Sequence, residues 1–427
     1  MNTMKRLGLT GIYAIVLCLY SHLAVAQTPF GWRGAARDGI YHETGLLKSW
    51  PEGGPQLLWE NTEVGKGFSS PMATNGKVYI NGLDKDGEKE FITAFSLDGK
   101  VLWKTTYGSA WENTYPDSRS TPTVVGNDLY VESGKPELVC LDVTTGAIQW
   151  SVDAVELYNR KPTEFGPVES PLVVGDVVYF TIMSNKASLV ALNRKNGEVI
   201  WETPPFKGDL MYASPIFIEY HGKKQIVIIN EFYATGIDQS TGAIAWQANI
   251  FDFMKAGMQN NNWRPQFTNT PLYKDGKICV ACGYDYGAVM LQLNDDATGI
   301  SQAWLNRDLD PHHGGMVLVD GYLYGSTWTN NNVGNWGCVD WNTGKTMYEN
   351  PWTGGNKGTL IYADGMLYCY DDRRGNIGLA KATPEKFDLV STFRITKGEG
   401  PNWAHLAIHN GILFVRHGNA LMAYKIK

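Results

Sequence analysis

The sequence predicts an all-β fold: a single eight-bladed β-propeller of four-stranded blades, closed by an N-terminal strand that completes the last blade. Three observations carry this prediction. A unit of Ser/Thr-Pro, a short apolar run, a Gly turn, an aromatic strand, a strand ending in Leu-Asp, then Thr-Gly and Trp recurs along residues 27–427. The turn glycines are Gly76, Gly126, Gly175, Gly222, Gly276, Gly321, Gly365 and Gly411, spaced 44 to 54 residues apart, which is room for four short strands per unit. No amphipathic helical period interrupts the units.

Residues 1–26 read as an export signal. Lys5 and Arg6 precede an apolar run from Ile12 to Leu19, and Ala24-Val25-Ala26 places small residues before a cleavage point at Gln27. The apolar run is shorter than the about 20 residues a membrane span needs. Leu17 stands where a lipidated Cys18 would require a small neighbour. A periplasmic or secreted protein is expected, with no transmembrane segment and with residues 27–427 as one domain.

The clearest units run from Thr121-Pro122 to Trp150 and from Ser170-Pro171 to Trp201. Ser70-Pro71 opens the unit ending at Trp103, Ser214-Pro215 the one ending at Trp246, and Thr270-Pro271 the one ending at Trp304. Tyr348 and Phe393 replace the Trp in two later units. These aromatics are expected to pack near the Thr-Gly turns and fill wedges between blades, and not to serve as ligand platforms. The last unit runs out after Ala420 to Ile426, and Leu57-Leu58-Trp59 is expected to supply its fourth strand and so remove an open sheet edge.

Composition narrows the function classes. The chain carries 37 Lys plus Arg against 43 Asp plus Glu, a net charge of −6, which argues against a nucleic-acid binder. With 43% hydrophobic and 19% charged residues it is neither disordered nor a helical rod. After the signal the cysteines are Cys140, Cys279, Cys282, Cys338 and Cys369, an odd number, so disulfides are not expected to staple the fold. Cys279 and Cys282 have CxxC spacing but lie on a strand, and read as buried apolar thiols.

In such a ring, the residues just before each innermost strand crowd one end of the central channel. That column contains Ser69, Arg119, Glu169, Tyr212, Asn269, His312 with His313, Lys357, and Trp403 with His405. The expected ligand-binding set is Arg119, Glu169, Tyr212, Asn269, His313, Lys357, Trp403 and His405, facing a polar small molecule, a glycan or an envelope protein. A merely water-filled mouth is the plain alternative. The stretches Gln259 to Arg264 and Trp328 to Asn332 with Asn335-Trp336 are predicted loops over one face, their amides and indoles suited to sugars or a peptide. Asp84 to Glu88 and Asn294 to Asp296 read as hairpin turns, not calcium loops. His312 and His313, as strand neighbours, should face apart, which argues against a metal pair. No nucleophile elbow, phosphate loop or HExxH occurs, and a monomer is expected.

The stretch from Leu138 to Trp150, with Leu141-Asp142, Thr145-Gly146 and the closing Trp, resembles the tryptophan-docking repeat of the pyrroloquinoline quinone-like, or quinoprotein alcohol dehydrogenase-like, β-propellers. The leader, with Trp32-Arg33-Gly34, Arg37-Asp38-Gly39 and Trp50 to Pro55, looks like the opening of exported bacterial members of unassigned activity. The resemblance implies a quinone-dependent oxidoreductase, with Ca2+ held by Glu and Asn, an Arg near the quinone and an Asp base. Arg119, Glu169 and Asn269 fall in a matching order, and Asp310 is the candidate base. The adjacent Cys-Cys pair of the dehydrogenases is missing, and no Cys-x-x-Cys-His haem site occurs. No bound cofactor is therefore expected, with pyrroloquinoline quinone and calcium as the alternative. The same family includes the propeller lipoprotein of the outer-membrane barrel-assembly machinery, which implies that such a ring can work by binding alone. A cofactor-free glycan-processing enzyme using Glu169, Tyr212 or a His in acid/base work is the third reading, and whether the chain is an enzyme stays open.

Overall fold

The computed structural model describes residues 28–258 and 264–427, so the predicted export signal and the insertion from Gln259 to Trp263 lie outside the described residues. Eight sheets, each built on four antiparallel strands, stand around a central channel. Blade one runs from Met72–Thr74 beside the channel to Val101–Ser109 at the rim, and the next six repeat this inner-to-outer order. Blade eight begins at Ala407–His409, and its outer strand is Gln56–Asn61, with Leu57 opposite Tyr424 and Trp59 opposite Ala423. The ring is thus laced shut as the sequence predicts. Two short helices, Ala154–Tyr158 and Ile250–Lys255, follow the outer strands of blades two and four and were not foreseen.

The turn glycines join the first and second strands of each blade. At Asn75-Gly76, His221-Gly222, Asp275-Gly276, Asp320-Gly321, Asp364-Gly365 and Asn410-Gly411 both central residues have positive φ, the signature of a type I′ turn. At Gly126 and Gly175 the glycine comes first and alone has positive φ, as a type II′ turn requires. Both types match the right-handed twist of the strands they connect.

Each outer-strand tryptophan docks on the turn of the next blade. The indole N–H of Trp103 donates to the Val143 carbonyl at 3.0 Å, that of Trp150 to Arg194 at 3.1 Å, that of Trp201 to Gln239 at 3.1 Å and that of Trp304 to Trp341 at 3.0 Å. Trp246 differs: its N–H donates to the Gln225 side chain at 2.8 Å, and the Gln225 amide donates onward to the Ala297 carbonyl at 2.7 Å. Gln225 thus bridges blade four to blade five. The stretches Asp84 to Glu88 and Asn294 to Asp296 are hairpin turns, closed by Asp84 and Asn294 oxygens accepting from backbone N–H groups. Trp336 does not sit in a surface loop; it opens the strand Trp336–Asp340 and is buried against Phe387. Cys140, Cys279, Cys282, Cys338 and Cys369 are buried free thiols.

The leader enters the channel. Phe30 exchanges backbone hydrogen bonds with Val124 of blade two, and Ile40–Tyr41 pairs in parallel with the innermost strand of blade seven. Between them, Arg33 donates to the carbonyls of Met316 and Leu360, and Arg37 to those of Ser170 and Pro171. Both guanidiniums are buried, and burial pushes each down to about 10. Gly315, with φ +71°, leaves the space that Arg33 fills, since a Cβ there would lie 2.0 Å from its Nη1. The leader divides the channel into two blind cavities. One, of about 690 Å³, opens beside the segments that precede the innermost strands; the other, of about 560 Å³, opens at the far mouth among Ala35, Leu172 and Lys274.

Candidate functional site

The larger cavity is the polar mouth that the sequence points to. Of the eight predicted residues, Arg119, Tyr212, His313, Trp403 and His405 line it, and His312 joins them. Glu169, Asn269 and Lys357 do not; each is turned into the wall behind it. The reason is local: residues before an innermost strand share a height in the channel, but the connecting backbone decides whether a side chain points inward or back between blades.

Those three have structural partners. Asn269 donates to the Pro311 carbonyl at 2.7 Å and accepts from Gly315 N–H at 2.9 Å, which fixes the loop that carries both histidines. Lys357 pairs with Asp372 at 3.0 Å, each side chain 2% exposed. Glu169 lies near Arg37, Arg160 and Glu132, and its carboxyl is pushed up first by burial and then by the Glu132 charge. Arg160 is committed to Glu132 at 2.6 Å.

The wall itself is aromatic. Trp403 meets Phe68 at 4.8 Å, Tyr115 at 5.2 Å and His313 at 5.3 Å between ring centroids. Trp32, delivered by the leader, meets His405 at 5.1 Å and forms the floor. His312 and His313 do not face apart, because they lie in a loop and not a strand; their Nδ1 atoms approach to 3.3 Å. The Tyr284 hydroxyl is 2.7 Å from His312 Nε2. Burial, followed by the Lys357 charge, pushes His312 down to about 4, and burial pushes His313 and His405 well below the usual imidazole range. For His405 the partners fix the tautomer: Arg33 donates to Nδ1 at 3.0 Å, so Nε2 carries the hydrogen that goes to the His313 carbonyl at 3.2 Å.

Several wall residues escape the one-position-per-blade reading. Tyr284, Asp372 and Arg373 come from the hairpins between second and third strands, which reach the same face. Phe68, Tyr115, Phe165 and Gln266 come from the connections between blades. Their signal is the aromatic content of those connections. Asn331 of the Asn-rich stretch also lines the cavity, and Trp328 packs on Tyr284 at 5.1 Å.

Quinone with calcium would need carboxylate and amide oxygens turned to a common space. Both amide atoms of Asn269 serve the backbone, and Glu169 is enclosed behind the wall. Asp310 is buried, accepts from the N–H groups of Trp328 and Asp285, and is pushed up to about 8 by burial, and both its oxygens are turned to the backbone. Among the described residues no group of three His, Cys, Asp or Glu side chains is gathered for a metal ion. These residues do not fit the roles that the quinone resemblance assigns them.

A family model described as outer membrane protein assembly factor BamB matches residues 88–336, more than half of the 427. The curated outer membrane protein assembly factor BamB of Kangiella koreensis is 26% identical over 228 residues, which is 52% of this chain and 50% of that relative. The chain thus spans half the length of the relative it matches. BamB from Moraxella catarrhalis is similar in structure at TM-score 0.61 and 14% identity, over 87% of this chain and 100% of its own. Quinohemoprotein alcohol dehydrogenase from Comamonas testosteroni gives 0.63 at 12% identity, over 91% and 79%. At those identities the two structures speak for the fold alone. Matched over more than half of its residues, the chain belongs to the BamB family of pyrroloquinoline quinone-like β-propellers.

Proposed function

We propose that the protein is an exported binding propeller, placed in the periplasm or secreted, whose larger cavity takes a polar ligand, a glycan or a peptide, without tightly held quinone. The observation that carries this reading is the blind cavity of about 690 Å³, with aromatic walls and with Arg119, Arg373 and Asn331 on its lining. Concave aromatic sites with a few placed polar groups are the usual form of ligand pockets. An envelope setting is supported by the relatives described as outer membrane protein assembly factors, and among the described residues no helix is long and apolar enough to cross a membrane.

The test is a glycan and peptide binding screen on wild type, Arg119→Ala and Trp403→Ala, with thermal melting as control. Glu169 is a poor probe, since its removal disturbs the buried charges around Arg160. Loss of binding in both variants at unchanged melting is expected; equal binding by all three proteins removes the site. Stoichiometric quinone recovered from the native protein would hand the site to the oxidoreductase reading. For export, mass spectrometry of the natively produced protein should find an N-terminus at or near Gln27, and an intact Met1 would defeat that placement.

A further inference from the structure

We infer that the far-mouth cavity of about 560 Å³ is a second binding site, which takes an extended peptide segment of a partner protein as an added strand on the inner edge of blade five. This site is separate from the larger cavity and independent of what that one binds.

The chain itself shows the mode. A two-residue turn makes the residues that flank it a hydrogen-bonded pair, and the next pair turns its N–H and C=O groups away from the partner strand. In blade two the residue so placed is Val124, which exchanges backbone hydrogen bonds of 2.9 and 2.8 Å with Phe30 of the leader. In blade seven it is Tyr362, whose N–H donates to the Gly39 carbonyl at 2.8 Å where Ile40–Tyr41 adds a fifth strand. Two inner edges already hold extended chain.

The same position recurs at Val173, Glu219, Tyr273 and Leu318, in blades three to six. The leader arginines hold carbonyls on blades three and six, those of Pro171 and Met316, and the Tyr273 hydroxyl donates to the Glu219 carbonyl of blade four at 2.7 Å. Blade five keeps its edge bare. Its strand Leu272–Lys274 lines the cavity, and the backbone N–H and C=O of Tyr273 have no hydrogen-bond partner among the described residues. An extended peptide satisfies both groups at once, as Phe30 does for Val124. The walls select its side chains. Val174, Phe217, Leu272 and Leu318 are apolar, while Lys274 and Asp320 are exposed at the mouth, so the segment carries apolar side chains inside the channel.

The test is calorimetric titration of the full chain with a pool of acetylated, amidated hexapeptides that alternate valine, leucine or phenylalanine with threonine. A second pool has ester oxygens in place of the backbone N–H groups. The amide pool should bind about tenfold more tightly than the ester pool, and it should slow hydrogen exchange at residues 272–274. Tyr273→Pro removes the N–H without breaking the ladder and should cost about tenfold in affinity, whereas Tyr273→Ala keeps that N–H and should keep most of the binding. Ala36→Trp, on the exposed leader wall of the cavity, should abolish binding at unchanged melting even where the proline variant fails to fold. Equal affinity for the two pools, or for wild type and Ala36→Trp, overturns the inference, as does slowed exchange confined to the larger cavity. Dimers of the free protein with residues 272–274 protected would give the edge to a second copy and overturn it too. If no peptide binds, the far mouth is a water-filled end of the channel and the inference falls.

Discussion

Three imidazoles stand at the mouth of the ring without charge, and their neutrality follows from burial beside Lys357 and Arg33. Neutral rings can donate on one side and accept on the other, as His405 does between Arg33 and the His313 carbonyl. Asp310 is the opposite case, an acid that burial lifts from 3.8 to about 8. The native protein then holds a proton that the unfolded chain has released, so this group lowers stability as pH rises between those values. Asp310→Asn cannot titrate, and its melting temperature should fall less over that window than that of wild type. Glu90, lifted by burial to about 7, adds a slope of the same sign to both proteins, so the difference between them is the readout. Identical slopes would contradict the assignment. At this scale the sequence was only partly legible. Arg119, Tyr212, His313, Trp403 and His405 reach the cavity as predicted, but the turn of each connection, which pattern cannot show, sends Glu169, Asn269 and Lys357 backwards.

Among elements, the repeated strand, turn and docking tryptophan could be read directly, because each answers to a local constraint: positive φ at the turn, and an indole seated where a glycine leaves room. A Cβ on Gly146 would lie 2.5 Å from the Trp103 ring, and one on Gly344 would lie 2.6 Å from the Trp304 ring. The Gln225 bridge was not legible, since it replaces a direct bond by a relay between blades four and five. Gln225→Leu keeps the bulk and removes both bonds, leaving the Trp246 N–H and the Ala297 carbonyl without partners. A loss of about 1–3 kcal/mol for each group is expected in denaturant unfolding. An unchanged midpoint would mean that water replaces the amide. The hairpins carrying Tyr284 and Arg373 were missed for a related reason: a blade presents two sets of loops to one face, and the sequence column samples only one.

For the whole molecule, closure is the decisive property, and it was legible from an unpaired final unit and a spare Leu57-Leu58-Trp59 strand. Deleting residues 27–60 should bare the edge of Ala420–Lys425 and cause aggregation, measured by light scattering. A soluble truncation with unchanged melting would refute the role of the seam. The leader's route had no sequence signal beyond its arginines and glycines, because its partners are main-chain carbonyls scattered around the ring. That route ties the leader to distant parts of the ring. Residues 28–41 leave the ribosome before any blade exists, yet their berth is built from blades two, three, six, seven and eight. Phe30 and Arg37 find their partners on blades two and three, whereas Arg33 needs blades six, seven and eight. The leader's berth is therefore complete only when the ring is, so Trp32 joins the wall of the larger cavity only in the closed molecule.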